Sequence, residues 1–411
     1  MLSDTDVLSL LMARKPGYSL PQAFYTDPDL FQADMHNIYY RDWLMTIATV
    51  EIPKTGNYVT LQIGAYSIII VRGADGAIRS FHNSCRHRGS RICSAAKGSS
   101  PKLVCPYHQW TYELDGRLLY AREMDAGFKP AEHGLKPVHC REAAGMVFVC
   151  LAAEAPEFDS MRLQAERYFG PHRLDQTRVA FQSTIVEKGN WKLVLENNRE
   201  CYHCSGSHPA LCRTFSDDPD LVGGDDSIGS PAGAAHIARC EAAGLPSKYV
   251  IAPSEQWRFV RIPFIGDAVS YTMDGKAAVK KRVGTVPFDN AGSCLFFHYP
   301  NTWNHFLSDQ ALIFRVMPIS ATETEVTTTW LVNKDAVEGV DYDLKRLTEV
   351  WLDTNDEDRR IVEENQIGIL SPAYEPGPYS QHQESGVIQF VDWYAATLQR
   401  RLTGGNQLAA E

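Results

Sequence analysis

Two histidines lie five positions apart in a stretch rich in ionisable side chains. His203 and His208 flank a turn-forming Ser-Gly-Ser, and the carboxylates of Glu196 and Glu200 precede them. Two neutral imidazoles and one carboxylate from elsewhere can hold Fe(II) and leave positions open for O2. A helix over 191–204 would bring Glu196, Glu200 and His203 to one face, because residues three and four apart are neighbours. Taken alone, such a histidine pair is more often a pair of surface or capping side chains.

A second motif upstream is more specific. Cys85-Arg-His87 is followed, after seventeen residues, by Cys105-Pro-Tyr-His108, so that each of two short loops brings one thiolate and one imidazole. Four such ligands can hold zinc or a Rieske [2Fe–2S] cluster, in which two cysteines bind one iron and two histidines the other. Zinc fingers usually pair cysteine with cysteine and histidine with histidine, whereas each of the two loops here carries one cysteine and one histidine. The pattern therefore favours the asymmetric two-iron cluster.

The bulk properties are those of a globular chain. The 411 residues are 44% hydrophobic and 22% charged, enough for two domains of ordinary size. A net charge of −10 argues against a nucleic-acid partner. We find neither an apolar run of the roughly 18 residues that a membrane span needs nor an export signal. Ten irregularly spaced cysteines then predict reduced thiols in a cytoplasm.

The third iron ligand is predicted from a helical pattern over 342–369. Trp351, Asp358 and Val362 share one stripe of that helix, at steps of three and four. Asp358 therefore points into the protein, where a carboxylate needs a partner, and a metal is one. Glu357 or Asp356 remain the alternatives.

Together these motifs resemble the catalytic (α) subunits of the Rieske-type non-haem iron oxygenases, over nearly the whole chain. The resemblance implies an α+β fold, with an all-β Rieske domain inserted before an antiparallel-sheet, helix-covered catalytic domain. It places residues 1–45 against the catalytic domain, the Rieske domain at 46–160 and the catalytic domain at 161–411. The cofactors would be a Rieske [2Fe–2S] cluster on Cys85, His87, Cys105 and His108, and a mononuclear Fe(II) on His203, His208 and Asp358.

The same resemblance implies a further role for Glu200. In the family, a carboxylate at this position, more commonly Asp, links a Rieske histidine of one subunit to an iron histidine of its neighbour. The resemblance thus implies a homotrimer with electrons crossing the subunit boundary, and a carboxylate that fixes imidazole tautomers. The alternative is an ordinary helical glutamate.

The substrate class also rests on resemblance. Residues 196–209, 270–281 and 332–351 resemble the branch that oxidises quaternary ammonium betaines, glycine betaine or proline betaine. This implies hydroxylation of an N-methyl group with O2 and release of formaldehyde and the N-demethylated amine. Electrons would come from NAD(P)H through a separate flavin and iron–sulfur reductase. We find no Gly-rich dinucleotide motif in this chain.

Candidate substrate-binding residues follow from the chemistry of such a substrate. A quaternary ammonium has no N–H to donate, so a protein can hold it only by aromatic faces and non-specific negative charge. We predict Trp303, Phe306 and Tyr271 as the aromatic residues. Arg258 or Arg261 would serve a betaine carboxylate. For each aromatic ring a place in the core is the alternative. The competing functions are an aromatic-ring hydroxylase or O-demethylase, a non-enzymatic electron carrier and a structural zinc module.

The loop over 216–256 is rich in small and polar residues, and we predict a lid with short helices there.

Overall fold

The computed structural model of the protein describes residues 2–221 and 229–408. The chain forms two compact units, one of residues 39–158 and one of residues 1–38 with 159–411. The sequence places the corresponding boundaries after residues 45 and 160. Among the described residues, no helix has both the length and the apolarity that crossing a bilayer requires.

The unit of residues 39–158 is built from short antiparallel strands. They are β1 Leu44–Ala48, β2 Asn57–Ile63, β3 Tyr66–Arg72, β4 Ile78–His82, β5 Lys97–Ser99, β6 Leu103–Val104, β7 Thr111–Tyr112, β8 Leu118–Tyr120, β9 Pro137–Ala143 and β10 Met146–Cys150. Seven of them form one sheet in the order β1-β10-β9-β4-β3-β2-β5, and β6-β7-β8 form a second. The central strand β3 carries the run Ile68 to Val71, whose side chains are fully buried, as β-branched residues in a sheet interior should be.

Two loops of this unit carry the cysteine–histidine motifs. One connects β4 to β5 and the other connects β6 to β7. Gly89 turns the first loop with φ of +78°, a left-handed conformation that glycine adopts without strain. Cys85 and Cys105 share a buried cluster with Trp110 and Tyr112. The loops are therefore held against a common core.

The second unit combines a sheet with helices. Its helices are α1 Asp4–Met12, α2 Ala23–Thr26, α3 Pro28–Asp34, α4 Asp159–Phe169, α5 Trp191–Asn198, α6 Cys204–Ser207, α7 Pro231–Ala242, α8 Leu344–Ile369 and α9 Ser385–Leu408. Its strands are β11 Thr177–Glu187, β12 Val250–Ile251, β13 Trp257–Ile262, β14 Ser293–His298, β15 Thr302–Phe306, β16 Gln310–Ser320 and β17 Glu323–Asn333. All neighbours pair antiparallel, in the order β11-β17-β16-β15-β14-β13-β12. The predicted fold class, an all-β domain before a helix-covered antiparallel sheet, is confirmed.

The predicted helix over 191–204 is wrong beyond Asn198. Helix α5 ends there, and a turn separates it from the short helix α6. The consecutive Asn197 and Asn198 are weak helix formers that compete for backbone hydrogen bonds. Glu200 and His203 thus lie beyond the helix that carries Glu196, whose carboxyl accepts hydrogen bonds from the hydroxyls of Tyr25 and Tyr379.

A buried charge cluster ties the N-terminal segment to the second unit. Asp34, at the end of α3, forms an ion pair with Lys192, and both side chains are fully buried. Its carboxylate also accepts hydrogen bonds from Trp191 Nε1 at 3.0 Å and Tyr394 Oη at 2.7 Å. A buried charge that loses its partner is strongly destabilising, so this cluster fixes α3 against α5 and α9.

We predict that Asp34→Asn lowers the free energy of unfolding by about 3–5 kcal/mol, because Lys192 is then buried without a counter-charge. Urea denaturation followed by tryptophan fluorescence measures the loss. Asp175→Asn is the matched control: it removes the exposed ion pair between Arg173 and Asp175, and we expect a loss below about 1 kcal/mol. Equal losses in the two variants would show that burial of the Asp34 pair is unimportant.

Candidate metal centres

The first centre lies between the two loops of the β unit. His87 Nδ1 is 3.1 Å from His108 Nδ1, and the imidazole of His87 stacks on Trp110 with centroids 4.9 Å apart. Both histidines are exposed, whereas Cys85 and Cys105 are buried. The two Nδ1 atoms face each other, and each Nε2 is left for other partners.

This donor set suits a Rieske cluster. Burial raises the pKa of the Cys85 thiol, opposed by a hydrogen bond with the Tyr112 hydroxyl, whose oxygen is 3.2 Å from Sγ. An iron bound to the thiolate would remove that burial cost by replacing the proton. Two buried sulfurs and two adjacent, more exposed imidazole nitrogens match the unequal ligation of the two irons.

The second centre is a triangle of donor atoms from two distant segments. His203 Nε2 is 3.0 Å from His208 Nε2. Asp358 Oδ1 is 3.3 Å from the former nitrogen and 3.1 Å from the latter. The histidines flank α6, and Asp358 lies on α8. The structure thus brings together the three predicted iron ligands.

The spacing of these donors fits one metal ion. Ligands at right angles about an ion, with bonds of about 2.1 Å, lie about 3 Å apart, as the facial two-histidine, one-carboxylate arrangement requires. Asp358 Oδ1 is buried and lacks a well-directed hydrogen bond. An orphaned carboxylate oxygen facing two imidazole nitrogens is a site that a cation would complete.

Two further carboxylates hold the imidazole rings in place. Glu200 Oε1 is 2.6 Å from His203 Nδ1, and Glu357 Oε2 is 2.8 Å from His208 Nδ1. Each carboxylate can accept the Nδ1–H and leave the Nε2 lone pair directed at the shared point, as partners of metal-bound histidines commonly do. Of the alternatives to Asp358, Glu357 thus lies behind a histidine, and Asp356 pairs with Arg359 and Arg360.

The electrostatics of the second centre favour a cation. Burial opposes protonation of His203, but the nearby carboxylates of Asp358 and Glu200 outweigh it and raise the pKa of His203 to about 9. Burial likewise acts to raise the pKa of Asp358, yet the two histidines hold it below its usual value. Iron and protons therefore compete for the same nitrogen atoms.

The cysteines beside this centre correct one expectation. Cys201 and Cys204 form a disulfide in the structure, so the prediction of reduced thiols is wrong for this pair. The Cys204 sulfur lies within 4.8 Å of the ligand nitrogens of His203 and His208. In a disulfide it is not the thiolate through which cysteine binds a metal.

A cavity of about 470 Å³ opens onto the three donors. Its volume lies in the range of small-molecule sites, roughly 300–1,000 Å³. Four aromatic residues line it: Phe215, Tyr249, Phe297 and Trp351. The predicted lid contributes to its wall through Ser216 to Pro219 and Leu221; residues 222–228 of that lid lie outside the described residues.

The three aromatic residues predicted to bind substrate are not among the described residues that line this cavity. Trp303 stacks on Phe314 with centroids 4.9 Å apart, and Phe306 stacks on Phe169 at 4.3 Å. Tyr271 lies behind the wall, where its hydroxyl is 3.0 Å from His305 Nδ1. All three are buried in the core, so the structure does not bring them to the site.

The sequence contains only weak indications of the aromatic residues that do line the cavity. Trp351 precedes Asp358 by two helical turns and so shares its face, a relation visible in the sequence. Phe297 and Arg258 are cross-strand partners, which only the pairing of β13 with β14 reveals. Nothing in the local sequence distinguishes them from core residues.

Comparison with known families agrees with this arrangement. The ring-hydroxylating α-subunit catalytic domain matches residues 172–400, and the Rieske [2Fe-2S] domain matches residues 42–138. The glycine betaine monooxygenase oxygenase subunit of Pseudomonas aeruginosa (strain UCBPP-PA14) is 50% identical over 397 residues, 96% of this chain and 92% of that protein. Its counterpart in Chromohalobacter salexigens is 49% identical over 96% of this chain and 88% of that protein.

Solved structures show the same fold. The quaternary ammonium Rieske monooxygenase CntA with L-carnitine superposes with a TM-score of 0.71 at 22% identity, over 95% of this chain and 99% of that one. Another structure, reported with insights into carnitine oxidation and inter-subunit electron transfer, gives a TM-score of 0.73 at 21% identity, over 95% and 98%. This chain therefore belongs to the Rieske-type, ring-hydroxylating oxygenase α subunits, enzymes whose cofactors are a Rieske [2Fe–2S] cluster and a mononuclear iron.

Proposed function

We propose that this protein is the oxygenase component that removes one N-methyl group from glycine betaine. The observation that carries the proposal is the 50% identity to a glycine betaine monooxygenase oxygenase subunit over 96% of the chain. Glycine betaine is thereby favoured over proline betaine, which the sequence motifs left open. The aromatic cavity beside the three donors suits a cation that only ring faces can hold.

The reaction hydroxylates the N-methyl carbon. When bound, the mononuclear iron supplies O2 activation. One O2, NADH and a proton are consumed; the N-hydroxymethyl product then releases formaldehyde and leaves dimethylglycine, with water as the other oxygen product. In this scheme Glu200 and Glu357 hold the imidazole tautomers, because each accepts an Nδ1–H. Trp351 gives the trimethylammonium group a ring face on the same helix as Asp358.

The second part of the proposal concerns how electrons reach the mononuclear iron and the role of Glu200 in that transfer. The reducing equivalents come from a separate NAD(P)H-dependent flavin and iron–sulfur reductase. The protein acts as a homotrimer, in which Glu200 connects His203 to a Rieske histidine of the neighbouring subunit. The contact between Glu200 and His203 supports this role, as does the exposure of His87 and His108. The fold it shares with the structure reported for inter-subunit electron transfer agrees with it.

We expect the purified protein, with a competent reductase and NADH, to release formaldehyde and dimethylglycine from glycine betaine in equal amounts. Proline betaine should be turned over more slowly, and arenes should not be hydroxylated. Formaldehyde assay and mass spectrometry of the products measure both outcomes. Hydroxylation of an arene, with no formaldehyde from any N-methyl compound, would instead make the protein an aromatic-ring hydroxylase.

Asp358→Ala should abolish binding of the mononuclear iron, because two imidazoles alone leave the facial set incomplete. The Rieske cluster should remain, since its ligands lie in the other unit. Iron and acid-labile sulfide analysis, with the visible absorption spectrum, separates the two centres. Retention of the full iron content would remove Asp358 from the ligand set.

Glu200→Gln should keep both metal centres and lower product formation roughly 10- to 100-fold, the usual cost of losing such a partner of a metal-bound histidine. Glu196→Gln is the control, since Glu196 lies four residues before Glu200 in the sequence but accepts hydrogen bonds from Tyr25 and Tyr379. Burial raises the pKa of Glu196 to about 7, so a neutral amide is tolerated there. Full product formation by Glu200→Gln would end the assignment.

A further inference from the structure

We propose that Arg258 and Arg199 form the carboxylate-binding end of the substrate cavity and set the preference for a zwitterionic betaine over a quaternary ammonium alcohol. This inference rests on the proposed function for the identity of the substrate. The structural observation behind it does not depend on that function: two guanidinium groups line the cavity, and each has a buried N–H donor without a partner.

Arg258 reaches the cavity from β13. It is directly opposite Phe297 of β14, and its guanidinium carbon lies 4.5 Å from the centroid of that ring. Its Nε is buried without a hydrogen-bond partner. A buried donor left unsatisfied costs free energy, and a ligand that accepts from it recovers that cost. Contact with the ring holds the guanidinium at the cavity wall.

Arg199 approaches the same ring from the end of α5. Its guanidinium carbon is 4.3 Å from the centroid of Phe297. Two of its nitrogens are anchored, Nε by the Tyr299 hydroxyl and Nη2 by Gln389 Oε1. The third, Nη1, is buried and unpartnered. The anchors therefore hold Arg199 against the ring that Arg258 also contacts, with one donor left unpaired.

The charges of the pair are not neutralised within the described part of the chain. Neither guanidinium forms an ion pair with a described carboxylate. Burial and the positive charge of Arg258 lower the pKa of Arg199 to about 10. Two like charges in a cavity raise the free energy of the empty site, and an anion that accepts from both groups would be stabilised by charge-assisted hydrogen bonds.

A continuous stretch of wall connects Arg258 with the aromatic surface near the iron donors. Val260, two residues on, pairs with Leu295, which in turn pairs with His305, and all three line the cavity. His305 packs on Trp351 with ring centroids 4.7 Å apart. A substrate that carries both a carboxylate and a trimethylammonium group can therefore contact an arginine and aromatic rings of the same cavity.

Arg261 offers a useful contrast. It also belongs to β13 but points to the opposite face, is fully buried and donates to Pro246 O and His172 Nε2. It is not among the described residues that line the cavity. Of the two arginines that the sequence suggested for a carboxylate, the structure assigns the role to Arg258.

The test measures binding and turnover with three probes. Glycine betaine carries both charges, choline lacks the carboxylate and 3,3-dimethylbutanoate lacks the cation. In Arg258→Gln, affinity for glycine betaine and for 3,3-dimethylbutanoate should fall roughly 10- to 100-fold, the range for hydrogen bonds to charged groups. Affinity for choline should not fall. Anaerobic calorimetry on the iron-loaded protein gives these affinities, and formaldehyde release should show a raised KM for glycine betaine.

Controls separate this proposal from a structural effect. Arg213→Gln removes the same charge from an exposed arginine that does not line the cavity and should leave all three affinities unchanged. Arg258→Lys should recover part of the affinity for the two carboxylates. An equal loss of choline affinity in Arg258→Gln, or unchanged affinity for both carboxylates, would overturn the proposal.

The same measurements keep the two proposals apart. Failure of the wild-type protein to release formaldehyde from any N-methyl compound would reject the proposed function. Binding of 3,3-dimethylbutanoate that depends on Arg258 would still uphold the carboxylate site in that case. Formaldehyde release that is equally efficient in wild type and Arg258→Gln would reject the site and leave the function standing.

Discussion

The convergence of His203 Nε2, His208 Nε2 and Asp358 Oδ1 within 3.0 to 3.3 Å is the constraint on which the second unit depends. Three acceptor atoms at that spacing need positive charge between them, from a metal ion or from protons on the histidines. Two carboxylates behind the histidines hold the imidazole rings, and a long helix carries the third donor. The surrounding sheet and helices keep this arrangement in place.

The helix α8 performs two tasks at once. Its buried face, with Leu347, Val350 and Val362, packs against the protein interior, and the same face presents Trp351 and Asp358 to the cavity. Because residues at steps of three and four share a face, apolar packing fixes the carboxylate and the aromatic ring together. A polar ligand is thereby positioned by hydrophobic contacts.

Groups of both charges line the cavity. Asp358 and Glu200 lie at the two histidines, whereas Arg199 and Arg258 contact the ring of Phe297. Such a division gives orientation as well as affinity, since a zwitterion fits in only one direction. The cost of two close guanidinium groups is then offset when the anionic end of a substrate binds.

The sequence alone determined which kinds of metal centre the protein can form. The donors of each motif are close in the chain, and their residue types restrict which metals they can bind. Three local patterns carry this information: the spacing of the ligands from Cys85 to His108, the pair His203 and His208, and the helical stripe that includes Asp358. The tertiary structure decided the end of α5 at Asn198 and the lining of the cavity. Trp303, Phe306 and Tyr271 pack in the core, whereas Phe297 and Arg258 line the cavity. Strand pairing and stacking partners make that choice, and neither is encoded in the spacing of one segment.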